Sequence, residues 1–201
     1  ASTELTPGIF TTPMPNKRHS GILLHPTSLP GAHGSGDFGE AARHFVDWLA
    51  AGAQTLWQIL PLGGIGPGNS PYMSPSAFAG NELLIDLTQL QRSGWLHAEE
   101  VKPEASLRDD RIDYPAVIVY RMARLRLAAE RFFGTARNGM HEDFEAFCAR
   151  AQDWLDDYAL FMALDQRHGG DGRVWQDWPA TLAQREPDAL REATRALADA
   201  C

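Results

Sequence analysis

The sequence predicts an α/β fold that opens with one parallel βαβ unit and continues as mostly helix, and three observations carry that reading. Two short apolar runs, SGILLH at 20–25 and TLWQIL at 55–60, are each closed by a proline, as buried strands commonly are. Between them, Ala41, Ala42, Phe45, Trp48 and Leu49 recur at three- and four-residue steps, and Gly52 stands where a helix would stop. After Gly94 the apolar spacing stays helical and no further convincing strand follows. A strand, helix, strand order gives parallel strands with a right-handed crossover. In barrels and in open α/β sheets alike the site lies at the strands' C-terminal ends, so loops 26–36 and 61–82 are both expected on the site side.

Taken in order, residues 1–17 hold prolines and threonines without periodicity and are expected to be an extended arm. The first helix is expected to start at Asp37, because Glu40 follows at the capping-box spacing. Loop 61–82 contains Gly63, Gly64, Gly66, Gly68, Pro61, Pro67, Pro71 and Pro75. Those residues oppose regular structure, since glycine admits positive φ and proline removes a donor. The loop also carries Tyr72, Met73 and Phe78 among Asn69, Ser70, Ser74, Ser76 and Asn81. An aromatic face beside hydroxyls and amides suits a sugar, which has an apolar CH face and a polar rim. The competing reading is that Tyr72 and Phe78 only pin the loop to the core. Leu83–Leu87 fits either a short strand, with Asp86 at its end, or the approach to a helix.

Pro115 in a first turn, then Ile118, Met122, Leu125, Ala129 and Phe132, predicts a helix ending near Gly134. A turn is expected over 137–140. Phe144, Phe147, Ala151, Leu155, Tyr158 and Met162 predict a second helical stretch, broken near Gln152 and stopping before Gly169 and Gly170. Trp175 and Trp178 read as docking aromatics, and 187–200 as a last helix. Two or three parallel strands cannot close a barrel and would leave ladder edges bare, so more chain beyond Cys201, or another chain, is expected to complete the sheet.

Composition excludes several classes. A net charge of -8 argues against nucleic acid or an anionic membrane as partner, since both reward clustered cations. No apolar run is long enough for a membrane span, and residues 1–18 lack a secretory pattern. Two widely separated cysteines, Cys148 and Cys201, suit a reducing cytoplasm. GGIGPG lacks the Lys-Ser/Thr pair of a phosphate loop. The seven histidines show no ligand spacing, so they read as core or surface residues rather than a metal site.

SGILLHPTSLPG at 20–31, GDFG at 36–39, LWQILPLG at 56–63, NSPYMSPSAFAGN at 69–81, LLIDL at 83–87 and WLDDYALFMAL at 154–164 together resemble the N-terminal part of the 4-α-glucanotransferases called amylomaltases or disproportionating enzymes. The resemblance runs from about residue 18 to about residue 190. It implies the start of a (β/α)8 TIM barrel over 18–94, with a mostly helical inserted subdomain over 95–201, the remainder of the barrel following in cis. It implies transfer of α-1,4-glucan segments between maltooligosaccharides, with glucose also an acceptor, with retention of configuration and with no metal or organic cofactor. One carboxyl attacks the anomeric carbon while another protonates the leaving oxygen. The family's three site carboxylates lie on later strands, so no catalytic residue is expected within 1–201 and the piece is expected to be inactive alone. Asp37 and Glu40 are read as a cap, and Asp156 and Asp157 as a helix flank. By position, Tyr72 matches a family tyrosine that packs against the sugar beside the cleaved bond. Ser70 matches a polar neighbour, and Asn81 a loop anchor that also touches substrate. Pro67 replaces an aromatic found in some members at a second glucan-binding patch. The alternative is a non-catalytic glucan-binding or interaction fragment.

Overall fold

The structure, a computed structural model, describes residues 18–108, 110–135, 139–169 and 174–198. The expected arm over 1–17 lies outside the described residues. Strands β1 (Gly21–Leu23) and β2 (Leu56–Gln58) pair in parallel, with Gly21 opposite Leu56 and Leu23 opposite Gln58. Helix α1 (Glu40–Ala51) is the crossover between them. The strands are shorter than the apolar runs because a two-stranded ladder keeps only residues that both partners reach. At its ends the pairing continues as single bonds, Thr55 N–H to Ser20 O at 2.9 Å and Leu24 N–H to Gln58 O at 3.0 Å. The α1 face docks by Ala42, Leu49 and the edge-on contact of Phe45 with Trp57, centroids 5.1 Å apart. Trp48, expected on that buried face, is exposed.

Asp37 does not cap α1. The N-cap position is Gly39, and Asp37 Oδ1 accepts from its N–H at 2.9 Å while Oδ2 accepts from the Arg121 guanidinium at 2.9 Å. A charge-assisted bond to a buried cation outcompetes a cap bond. Asp86 also departs from expectation. Leu83–Leu87 is not a strand: Glu82–Leu84 forms a 3-10 turn, and Asp86 is the N-cap of α2 (Leu87–Arg92), its Oδ1 accepting from Thr88 N–H at 2.8 Å.

Helix α3 (Tyr114–Gly134) starts with Asp113 as N-cap and Pro115 in its first turn. Its buried stripe is Val117, Tyr120, Arg121 and Ala128, rotated by about one residue from the predicted Ile118, Met122, Ala129 face. The cause is Arg121, which a hydrophobic pattern assigns to solvent but which is buried. The main core joins Leu87, Leu96, Tyr120 and Ala128. Helix α4 (Gly139–Ala151) begins inside the expected turn at 137–140. It leaves Phe144 and Phe147 partly exposed, and docks on Phe132 through the stacked His141 ring at 4.3 Å and the edge-on Phe144 ring at 5.8 Å. The break near Gln152 is present: Trp154 has φ -141°, and α5 (Leu155–His168) follows. Trp178 docks as expected with Leu160 and Leu164, whereas Trp175 stays exposed. The sequence pattern missed the short α6 (Ala180–Ala183), and α7 (Pro187–Ala196) ends before the predicted residue 200.

Glu100 ties the segment after α2 to α3. Arg131 donates two bonds to its carboxylate, each 2.6 Å, and His97 N–H a third at 2.7 Å. The Arg131 bonds, then that from His97, hold the Glu100 carboxyl down at about 2 against an ordinary 4.5. A carboxyl depressed on folding stabilises the fold above its unfolded value, and that contribution is lost as pH falls through the folded value. Wild type is therefore expected to lose stability between pH 4.5 and about 2 that Glu100→Gln does not lose over the same window. Urea midpoints measured across that range check this, and parallel curves for the two proteins would refute it.

Candidate functional site

Loop 61–82 leaves the C-terminal end of β2 and returns to its own base. Gly63 bridges Gly80 antiparallel, and Asn81 N–H donates to Leu62 O at 2.7 Å. A surface loop closed at its base and shaped by its own contacts is a common carrier of function. Two 3-10 turns, Pro67–Asn69 and Pro71–Met73, fold its arm. Gly66 is required there because a Cβ would overlap the Met73 carbonyl, and Gly68 has φ +70°, which favours glycine.

The serines are spent on this scaffold. Ser70 Oγ accepts from Tyr72 N–H at 3.3 Å, Ser76 Oγ from Phe78 and Ala79 N–H at 3.1 Å each, and Ser74 Oγ donates to Ser76 O at 2.9 Å. What they display is aromatic: Tyr72 is 71% exposed and Phe78 72%. Neither ring is buried in the core, although Phe78 stacks on Trp154 with centroids 6.0 Å apart. Asn81 is buried, and its Oδ1 caps the turn at 82–84 by accepting from Leu83 N–H at 2.9 Å. It is placed as the loop's anchor.

Loop 26–36 lies on the same side and is bound to the first loop's return by one side chain. Arg121, fully buried, donates to His33 O at 3.4 Å, Ser35 O at 3.0 Å, Ile85 O at 3.0 Å and Asp37 Oδ2. Phe38 N–H adds a bond to Leu84 O at 3.1 Å. Sequence reasoning missed this cluster; its one signal was an arginine standing four residues after Val117 on the apolar side of α3. His33, stacked 5.8 Å from Tyr120, and His25 are both lowered from the ordinary histidine value by burial. The His33 Nε2–H donates to Val101 O, 3.0 Å away.

The acids have local partners: Asp37 in the Arg121 cluster, Asp86 at the α2 cap, Asp157 with Arg185 at 2.7 Å. Among the described residues, no group of three or more His, Cys, Asp or Glu is placed to hold a metal, and no helix is long and apolar enough to cross a membrane.

The sequence profile of the 4-alpha-glucanotransferase family matches residues 24–201. A 4-alpha-glucanotransferase of Thermus thermophilus is 45% identical over 182 residues, covering 90% of this chain and 35% of its own length. The Synechocystis 4-alpha-glucanotransferase is 44% identical over 178 residues, covering 89% and 35% respectively. Among solved structures, an amylomaltase from Streptococcus agalactiae in complex with acarbose superposes with a TM-score of 0.84 at 34% identity, covering 92% of this chain and 37% of that one. The chain thus spans about a third of the length of the curated relatives it matches. Its architecture is the N-terminal part of a (β/α)8 barrel with a mostly helical insertion. With the profile covering all but the first residues, and with the parallel pair and its aromatic loop in place, the chain belongs to the 4-alpha-glucanotransferase family.

Proposed function

We propose that this chain furnishes one wall of the substrate cleft of a retaining 4-α-glucanotransferase acting on maltooligosaccharides or other α-1,4-glucans, with glucose as an acceptor, in the cytoplasm. One observation carries the reading: Tyr72 stands 71% exposed on a base-closed loop at the C-terminal end of a parallel strand, where barrel sites lie. Tyr72 stacks on the CH face of the glucose beside the cleaved bond. Ser70, whose oxygen already holds the Tyr72 amide, donates its remaining O–H to a sugar hydroxyl. Asn81 sets the loop's return and contacts substrate at the loop's edge. The barrel units comprise residues 18–94 and the inserted subdomain 95–201. That the Streptococcus agalactiae amylomaltase is seen with acarbose supports a carbohydrate ligand here.

The nucleophile and the acid/base are carboxyls outside 1–201, as the family resemblance implies, and the acids Asp37, Asp86 and Asp157 are engaged in caps and ion pairs. Chemistry then follows the two-step displacement in which one carboxylate forms the glycosyl enzyme and the other first gives and then takes the proton. Incubated with maltotriose, purified 1–201 is expected to release no glucose and form no longer oligomers. Disproportionation by 1–201 alone would overturn the placement of the carboxyls. A non-catalytic glucan-binding or interaction role is the second reading, favoured by an aromatic loop beside which Asp37 and Asp86 serve an ion pair and a cap. It would hold if the intact protein bound maltohexaose without turning it over.

A further inference from the structure

We infer that Phe78, Trp154 and Tyr158, with Glu82 at their edge, form a second carbohydrate platform holding a glucose residue other than the one at Tyr72. The ligand class rests on the functional reading above; the platform rests on its own geometry. Phe78 repeats the device that displays Tyr72. Each ring follows two residues after a serine whose Oγ accepts the aromatic residue's own N–H, so the loop presents two rings on fixed backbone. Phe78 is 72% exposed, and a ring that served to pin the loop would be mostly covered, since pinning derives from buried area.

One side of Phe78 is nonetheless held. Its ring lies nearly parallel to Trp154, at 21° and 6.0 Å between centroids, and Trp154 in turn contacts Tyr158 at 6.1 Å. Trp154 sits at the break between α4 and α5, where the chain turns away from helical geometry. Two elements far apart in sequence therefore contribute to one aromatic strip. The outer face of Phe78, backed by Trp154, offers the weakly polar surface on which a pyranose CH face stacks, with Tyr158 inclined at 56° beside it.

Tyr158, at the end of the strip, also lines a cavity of about 120 Å³ between the loop and helices α3 and α5, together with Pro75, Glu82 and Met122 among others. Glu82 supplies acceptor oxygens and Tyr158 an O–H donor. Stacking surface and hydroxyl partners thus meet at one place, as a sugar subsite needs. The loop separates Phe78 from Tyr72 by six positions, so both rings engage one chain only when the donor is long enough.

The test uses Phe78→Ala and Trp154→Ala in the intact protein, with maltotriose and maltohexaose as donors. The expected result is a KM that rises about five- to tenfold more for maltohexaose than for maltotriose, the scale of a lost aromatic contact, and that Phe78→Tyr restores. The same factor for both donors, or a lowered denaturation midpoint with no change in the ratio, would assign these rings to the scaffold and overturn the inference. If the wild-type protein does not turn over maltotriose, it is the functional reading that fails. Calorimetric titration with maltohexaose then decides the platform: weaker binding by Phe78→Ala supports it, and equal binding removes it.

Discussion

Arg121→Met is expected to destabilise the intact protein by about 3–5 kcal/mol, the scale of removing one partner from a buried ion pair. The side chain is wholly buried and its Asp37 partner only 13% exposed, so solvent cannot replace the lost interaction. The loss is compounded because the same guanidinium serves the carbonyls of Ser35 and Ile85 at 3.0 Å each, and unsatisfied buried acceptors carry their own penalty. Arg121→Lys keeps the charge but not the planar fork that reaches several acceptors at once, and an intermediate loss is expected. Asp37→Asn leaves an oxygen to accept and the backbone carbonyls in place, so its cost falls below that of Arg121→Met. Urea denaturation at pH 7 reads all three. A loss under about 1 kcal/mol for Arg121→Met, within the range of an ordinary exposed pair, would show that the cluster does not hold the two site-side loops.

Tyr72→Ala is expected to lower kcat/KM for maltooligosaccharide transfer by about 5- to 150-fold, corresponding to about 1–3 kcal/mol of transition-state stabilisation from a lost stacking ring and its burial against substrate. The denaturation midpoint should move little, because a ring 71% exposed contributes little to the folded core. Tyr72→Phe separates the two parts of the side chain: retention of most activity assigns the effect to the ring face, and a loss as large as alanine's assigns it to the hydroxyl. An alanine variant with wild-type kinetics and an intact fold would place Tyr72 in the scaffold. The pair of variants, Arg121→Met and Tyr72→Ala, is expected to separate cleanly, one acting on stability and the other on transfer.

Why one of these residues was legible and the other was not follows from where their interactions lie. Tyr72 is announced by its immediate neighbours: prolines and glycines stop regular structure, and a tyrosine in such a stretch stands out. Ser70 and Ser76 stand out for the same reason, and their oxygens also hold the amides of Tyr72 and Phe78, leaving only their O–H groups for another partner. Local side-chain bonds to backbone compete for hydroxyls, and composition does not register that competition. Arg121 is invisible to periodicity because a charged residue is assigned to the solvent face unless its partner is known, and Asp37 lies 84 positions away. Once Arg121 is turned inward, the buried stripe of α3 shifts with it and Asp37 is drawn off its expected cap.

The sequence alone determined the parallel βαβ opening, the long unstructured loop on its site side, the α4–α5 break near Gln152 and the family, since each is written in contiguous residues through apolar period, glycine and proline punctuation, or motif blocks. Tertiary structure alone decided which polar groups were consumed by the scaffold, which face of α3 was buried, and that Phe78 meets Trp154. Those outcomes depend on pairings between residues distant in the chain, where a buried charge or ring takes whichever partner the packing brings within reach.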